Sequence, residues 1–225
     1  MNRPVVLRAL IAVGLVSSLG HAHPQVAEEP RFDIQIQSAE NRSTYTATNL
    51  ASKTVTACVV RFSFSQTNKE LGTTIWDSVL TDEPPIEPSG HMSGNLSHVV
   101  GNPYPDKVEV IAGIWADGET FGQSDWVKHI LTAREMLASA YERAASLLQR
   151  GLDENWTRDQ YLQALNETPD TSAIHTLRSN LTANPQLADD AKRLRHLMIS
   201  MLDTFTGKYE RIRRTKPAAG AATNS

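Results

Sequence analysis

Cysteine is nearly missing from this chain, with Cys58 the single example. No intramolecular disulfide can form, so the fold must be held by packing alone. Long apolar runs are also scarce. The longest, residues 9–19, is about half of the roughly twenty residues needed to cross a bilayer. Paired Cys-x-x-Cys, His-Glu-x-x-His and a phosphate-cradling glycine loop are all absent, which removes the commonest zinc and nucleotide signatures. Basic charge is thin in the first half: residues 23–124 carry six Lys and Arg against thirteen Asp and Glu. That balance argues against nucleic acid as a partner, which requires a basic stripe on a coherent face.

The short apolar run has a clear reading. Arg3 and Arg8 precede it and Gly20-His21-Ala22 follows it, the pattern of an export signal cut after Ala22. The mature chain would begin His23-Pro24 in the periplasm or outside the cell. Cys58 lies far from that junction, so it is not the lipid-bearing first residue of a lipoprotein. Within its apolar segment it reads as a small buried hydrophobe. The weakly basic leader is of bacterial type, so the five Asn-x-Ser/Thr triplets carry no expectation of glycans.

Residues 31–123 have a period of two, the mark of strands buried on one face. Phe32, Ile34 and Ile36 alternate with Asp33, Gln35 and Gln37. Residues 44–48 are expected to pair with a neighbour across the turn at 49–52. Residues 54–65 are apolar on both faces, as in a central strand covered on both sides. Val55, Ala57 and Val59 fall on one face and Cys58, Val60, Phe62 and Phe64 on the other. Pro84, Pro85 and Pro88 interrupt pairing, and Asp117-Gly118 marks a tight turn. Seven or so short strands with regular turn signals predict an immunoglobulin-like antiparallel β-sandwich.

At residue 124 the period changes to three and four. Ser124 is a candidate cap for a long amphipathic helix carrying Val127, Ile130, Leu137, Tyr141, Ala144 and Leu148. Thr157 and Gln160 form a capping-box pattern. Pro169-Asp170 opens a third helix, and Asn184-Pro185 ends it. Leu187, Ala191, Leu194, Met198, Met201, Phe205, Tyr209 and Ile212 repeat at four-three spacing in the last helix. That seam packs at home or offers self-association to a second copy. The fold class expected is therefore α+β: a leader at 23–30, a sandwich at 31–123, a domain of three to four helices at 124–214, and a disordered tail at 215–225.

In the sandwich region, Thr46-Ala47-Thr48-Asn49-Leu50, the strand through Val55 to Phe64, and Pro88-Ser89-Gly90 follow one another in an order that resembles the bacterial secreted immunoglobulin-like domains of FxLYD type. The resemblance covers residues 45–93. It implies an envelope or extracellular module without catalytic residues, and it says nothing of the helices.

Candidate sites are few. His23, exposed by signal cleavage, could chelate copper through its amine and imidazole, with His91 and His98 as further ligands on the same domain. The seven-residue offset between His91 and His98 sets them on opposite faces of an unbroken strand, against a shared zinc or copper ion. His129, His175 and His196 fall on three different helices. Gly90-His91-Met92-Ser93-Gly94 places its serine one position late for a nucleophile elbow. Trp76 and Trp115 could form a sugar-binding surface, although packing of Trp115 against the helices is the plainer expectation. The sequence thus points to a non-enzymatic exported interaction module with an unknown protein partner. The alternatives are a copper protein built on His23 and an enzyme with a site between the two domains.

Overall fold

The computed structural model describes residues 30–39, 42–67, 69–81, 83–96 and 104–215. The signal, the leader with His23, His98 and the tail from residue 216 lie outside the described residues. Seven strands are formed: β1 (Phe32–Ala39), β2 (Arg42–Asn49), β3 (Val55–Ser63), β4 (Glu70–Asp77), β5 (His91–Leu96), β6 (Lys107–Trp115) and β7 (Thr120–Gly122). They make two antiparallel sheets, ordered β1-β2-β5 and β4-β3-β6-β7, in an immunoglobulin-type sandwich. Between the sheets lie Tyr45, Ala47, Cys58, Val60, Met92, Val108, Trp115 and Phe121.

One expected pairing is corrected. β2 pairs with β1 and β5, and not with β3 across the 49–52 turn. Asn49 is the reason. Its fully buried side chain donates to the carbonyls of Lys53 (2.8 Å), Ile86 (3.2 Å) and Glu87 (3.3 Å) and accepts from the Ala51 amide (3.0 Å). These bonds carry the chain across to the other sheet, where a hairpin would have kept it in the same one.

β3 is covered on both sides, as its composition predicts. Its faces differ from simple alternation because the register with β6 shifts between Val55 and Ala57. Across that bulge Val55 joins Cys58 inside the sandwich, while Ala57 and Val59 face outward. Outward-facing Ile111, Ala112 and Ile114 complete an apolar surface on the second sheet. Left bare, it would be an adhesive face.

A helix covers it. α1 (Ser124–Asp153) is 30 residues long, about 45 Å at 1.5 Å per residue. Val127 and Ile130, with Trp126 and Leu131, pack on the sheet. Farther along, Ala144, Leu147, Leu148 and Leu152 enter a second core with α2 (Arg158–Glu167), α3 (Ser172–Ala183) and α4 (Ala191–Arg214). α1 is thus a spine shared by both layers. Its N-cap is Gln123, without a side-chain bond, and not Ser124; the Gln123 amide instead donates to Ile111 O at 2.9 Å. That bond continues β7 directly into the helix.

The other helix ends are read more simply. Thr157 and Gln160 form the expected capping box. Thr171 caps α3, and Asp190 caps α4 after a short 3-10 turn at Pro185–Ala188 that holds Leu187. α4 runs antiparallel to α1: Arg195 donates to Leu152 O (3.1 Å) at one end, and Tyr209 reaches Glu142 (3.4 Å) toward the other. Leu194, Met198 and Phe205 are buried in the helical core, so the seam of the last helix is occupied by its own chain.

Two glycines in the helices have opposite expectations. A Cβ on Gly151 would lie 2.3 Å from the Tyr161 ring, so the close packing of α1 on α2 requires glycine there. Around Gly207 on α4 there is open space. In urea denaturation, Gly151→Ala should lower stability by about 1–3 kcal/mol through overpacking. Gly207→Ala should raise it by about 0.5–1 kcal/mol, because alanine restricts the unfolded chain without meeting a neighbour.

Candidate functional site

β4 and β5 are edge strands of different sheets, and they flank the same side of the sandwich. The chain between them, held apart by Pro84 and Pro85, leaves a groove of about 470 Å³. Trp76, Glu83, Glu87, His91, Met92 and Ser93 are among its lining residues. Its size is that of a ligand cleft. Two further hollows lie on the helices, one of about 530 Å³ beside Gln149 and Arg150, the other of about 330 Å³ beside Trp156 and Lys192. Of these three hollows, the groove on the sandwich is the one that joins Trp76 and His91, both singled out from sequence.

Each wall of the groove is fixed by identifiable contacts. Trp76 lies opposite Cys58 in the β3–β4 register, with its ring half-buried at the open side of the core. Its indole Nε1 donates to Glu83 Oε2. Glu87 Oε2 accepts from Thr54 Oγ1 at 2.5 Å. Ile86, between these carboxylates, forms a two-bond bridge with Val55, each amide donating to the other's carbonyl at 2.9 Å. Asn49 holds the carbonyls of Ile86 and Glu87, as described above. The wall is therefore stitched to β3 by backbone bonds.

Beneath the groove the thiol of Cys58 lies 3.6 Å from Met92 Sδ. Burial pushes its pKa up to about 12, with the Asp77 charge adding to the effect. Cys58 is a core residue, as its sequence context predicts. It is no candidate nucleophile, since the reactive form is the thiolate.

The end of β4 is fixed by the most buried ion pair among the described residues. Arg134 of α1 donates from Nε to Asp77 Oδ2 (2.8 Å) and from Nη2 to Asp77 Oδ1 (2.9 Å), both side chains being almost wholly buried. Thr56, turned outward by the bulge in β3, takes a longer contact from Nη2 at 3.4 Å. Asp77 Oδ1 also accepts from the Val79 amide (2.9 Å), which bends the chain toward the groove. Sequence reading missed Arg134. A signal was present: position 134 is four from Ile130 and four from Ala138, so an arginine sits on the helix's apolar stripe.

The remaining candidates separate. Trp115 is 2% exposed inside the sandwich, its ring 4.5 Å from Phe121. It belongs neither to an exposed sugar platform nor to the helix contact. Its neighbour Ile114 is the residue beneath α1, the reverse of the parity expected from sequence, because the sandwich interior and the helix-covered face are equally apolar. His91 is exposed on the groove. The proposed companions His23 and His98 lie outside the described residues. Among the described residues no group of three or more His, Cys, Asp or Glu is placed to hold a metal ion. His129, His175 and His196 are exposed on separate helices.

Three protonated groups in the two cores set a pH limit on the architecture that supports the groove. Burial pushes Tyr45 up to about 12, with Cys58 adding to it; burial likewise raises Tyr161 to about 12, with the charge of Arg195 opposing. With Cys58, all three ionise more easily in the unfolded chain than in the folded one. Their stabilisation is complete well below pH 9, declines from about pH 8 upward as first the unfolded-state thiol and then the phenols ionise, and is gone above about pH 12. Urea unfolding should therefore give a flat stability between about pH 6 and 8 from these groups and a fall above it, with a slope approaching about 1.4 kcal/mol per pH unit for each group titrating. No family model, curated protein or solved structure matches this chain.

Proposed function

We propose that this chain is an exported, non-enzymatic interaction module of the cell envelope, released from its signal after Ala22, and that it contacts a protein partner through the Trp76–His91 groove. The observation that carries this reading is the placement of the groove between two edge strands. β4 and β5 each pair on one side only among the described residues, so each offers backbone groups to a further strand. Partner recognition by strand addition uses this arrangement, with the backbone supplying affinity and flanking pockets supplying selectivity.

The surrounding construction supports the same reading. A surface that binds a protein without rearranging keeps its walls rigid in the free state, which lowers the entropic cost of association. Here proline, the Asn49 amide and the Val55–Ile86 bridge hold one wall, and the Arg134–Asp77 pair holds the end of the other. The seam of α4 is filled by its own chain, so that seam is not the contact surface.

The reading is tested in the native host with a photo-crosslinking residue at Ser93, on the groove, and at Gln163, exposed on α2. The expected outcome is a discrete protein adduct in the exported fraction from position 93 and none from position 163. Equal labelling at both positions, or no adduct at position 93, would overturn it.

A further inference from the structure

We infer that the groove accepts an extended peptide bearing a lysine or arginine side chain, whose cation is seated between Glu83 and Glu87 and over the Trp76 ring. This rests on the reading of the groove as a protein-contact site and specifies the chemistry of the partner. Both carboxylates are held in place by neutral donors, the Trp76 indole and the Thr54 hydroxyl. Among the described residues no Lys or Arg lines the groove, so these donors position the negative charge without neutralising it. A carboxylate fixed in this way gains most from a charged donor, because a charge-assisted hydrogen bond is roughly twice as strong as a neutral one.

Trp76 adds to the same preference. The face of an indole carries negative potential and attracts ammonium and guanidinium groups, more strongly where water is partly excluded. The ring is half-buried at the groove, and its orientation is set by the bond to Glu83. At longer range the excess of acidic over basic residues across 23–124 draws cations toward this part of the molecule and repels acidic segments. The unpaired sides of β4 and β5 favour an extended backbone over a helical one.

An acidic peptide would meet two fixed carboxylates. A neutral sugar could use the indole face, but it would leave the charge of Glu83 and Glu87 unused, and Trp115 is not available as a second platform. Both become outcomes of the test.

The probes are two capped hexapeptides alternating Val and Thr with either Lys or Glu at two positions, and a soluble N-acetylglucosamine trimer. The full mature chain is titrated with each and followed through the Trp76 indole N–H resonance, assigned with Trp76→Phe. The lysine peptide should shift this resonance, with an affinity that falls as salt is raised. In Glu83→Gln/Glu87→Gln the amide oxygens still accept from Trp76 and Thr54, so the melting temperature should hold while affinity drops about tenfold or more. No shift with the lysine peptide, an equal shift with the glutamate peptide, or a shift with the sugar alone would overturn the inference. If the lysine peptide fails while position 93 still forms its adduct in cells, the partner chemistry is wrong and the interaction reading survives. If both fail, both fall.

Discussion

The buried pair between Arg134 and Asp77 is the constraint on which the arrangement of the molecule depends. The second sheet offers α1 an apolar face of Ala57, Val59, Ile111, Ala112 and Ile114. Apolar contact is non-directional, and such a face accepts a helix in more than one register. A guanidinium fork that must meet a carboxylate does not. Two bonds of 2.8 and 2.9 Å fix where the helix lies along the sheet. Removing both charges from water offsets much of the attraction, so the pair contributes more to specifying the register than to net stability. Arg134 Nη1 has no hydrogen-bond partner among the described residues, which adds to that cost.

From this joint the rest follows in two directions. Toward the helices, α1 carries its fixed orientation into the second core, where α4 lies antiparallel along it; outside that core Ile212 meets Val79 and Ala138 in a separate apolar cluster. Toward the sandwich, Asp77 ends β4. Its carbonyl accepts from the amides of Leu80 (3.2 Å) and Thr81 (2.9 Å), and its carboxylate accepts from Val79. One aspartate therefore seats a helix, terminates a strand and starts the chain toward the groove. Trp76 is the adjacent residue, so the geometry of the candidate site is inherited from the interlayer contact.

Much of the architecture was legible in the sequence, and the exceptions have specific causes. The alternation of Phe32, Ile34 and Ile36, the two-sided apolarity of β3, the Thr157–Gln160 box and the Asp117-Gly118 turn all reflect local chemistry, and local chemistry is what a sequence displays. The partner of β2 was not legible, because Asn49 makes its decisive bonds to a segment nearly forty residues away. The face of Trp115 differs from the expected one because parity cannot separate two apolar surfaces, and because the extra residue Ile111 in β6 shifts the alternation between Val110 and Ala112. Asp77 and Arg134 are separated by 57 residues, so no period relates them. Of the candidate site, Trp76 and His91 were identified singly, but the groove that unites them with Glu83 and Glu87 is a product of the fold.

The claim that one buried pair fixes the two layers is tested most directly by a double-mutant cycle on urea unfolding, with Asp77→Asn, Arg134→Met and the two combined. Each single change leaves a buried polar or charged group without its partner, and each should cost about 3–5 kcal/mol. The double variant should be more stable than the sum of the two losses requires, giving a coupling of about 2 kcal/mol or more, with sandwich and helices still unfolding in one transition. Single losses within about 0.5 kcal/mol of zero, or strictly additive ones, would contradict the account.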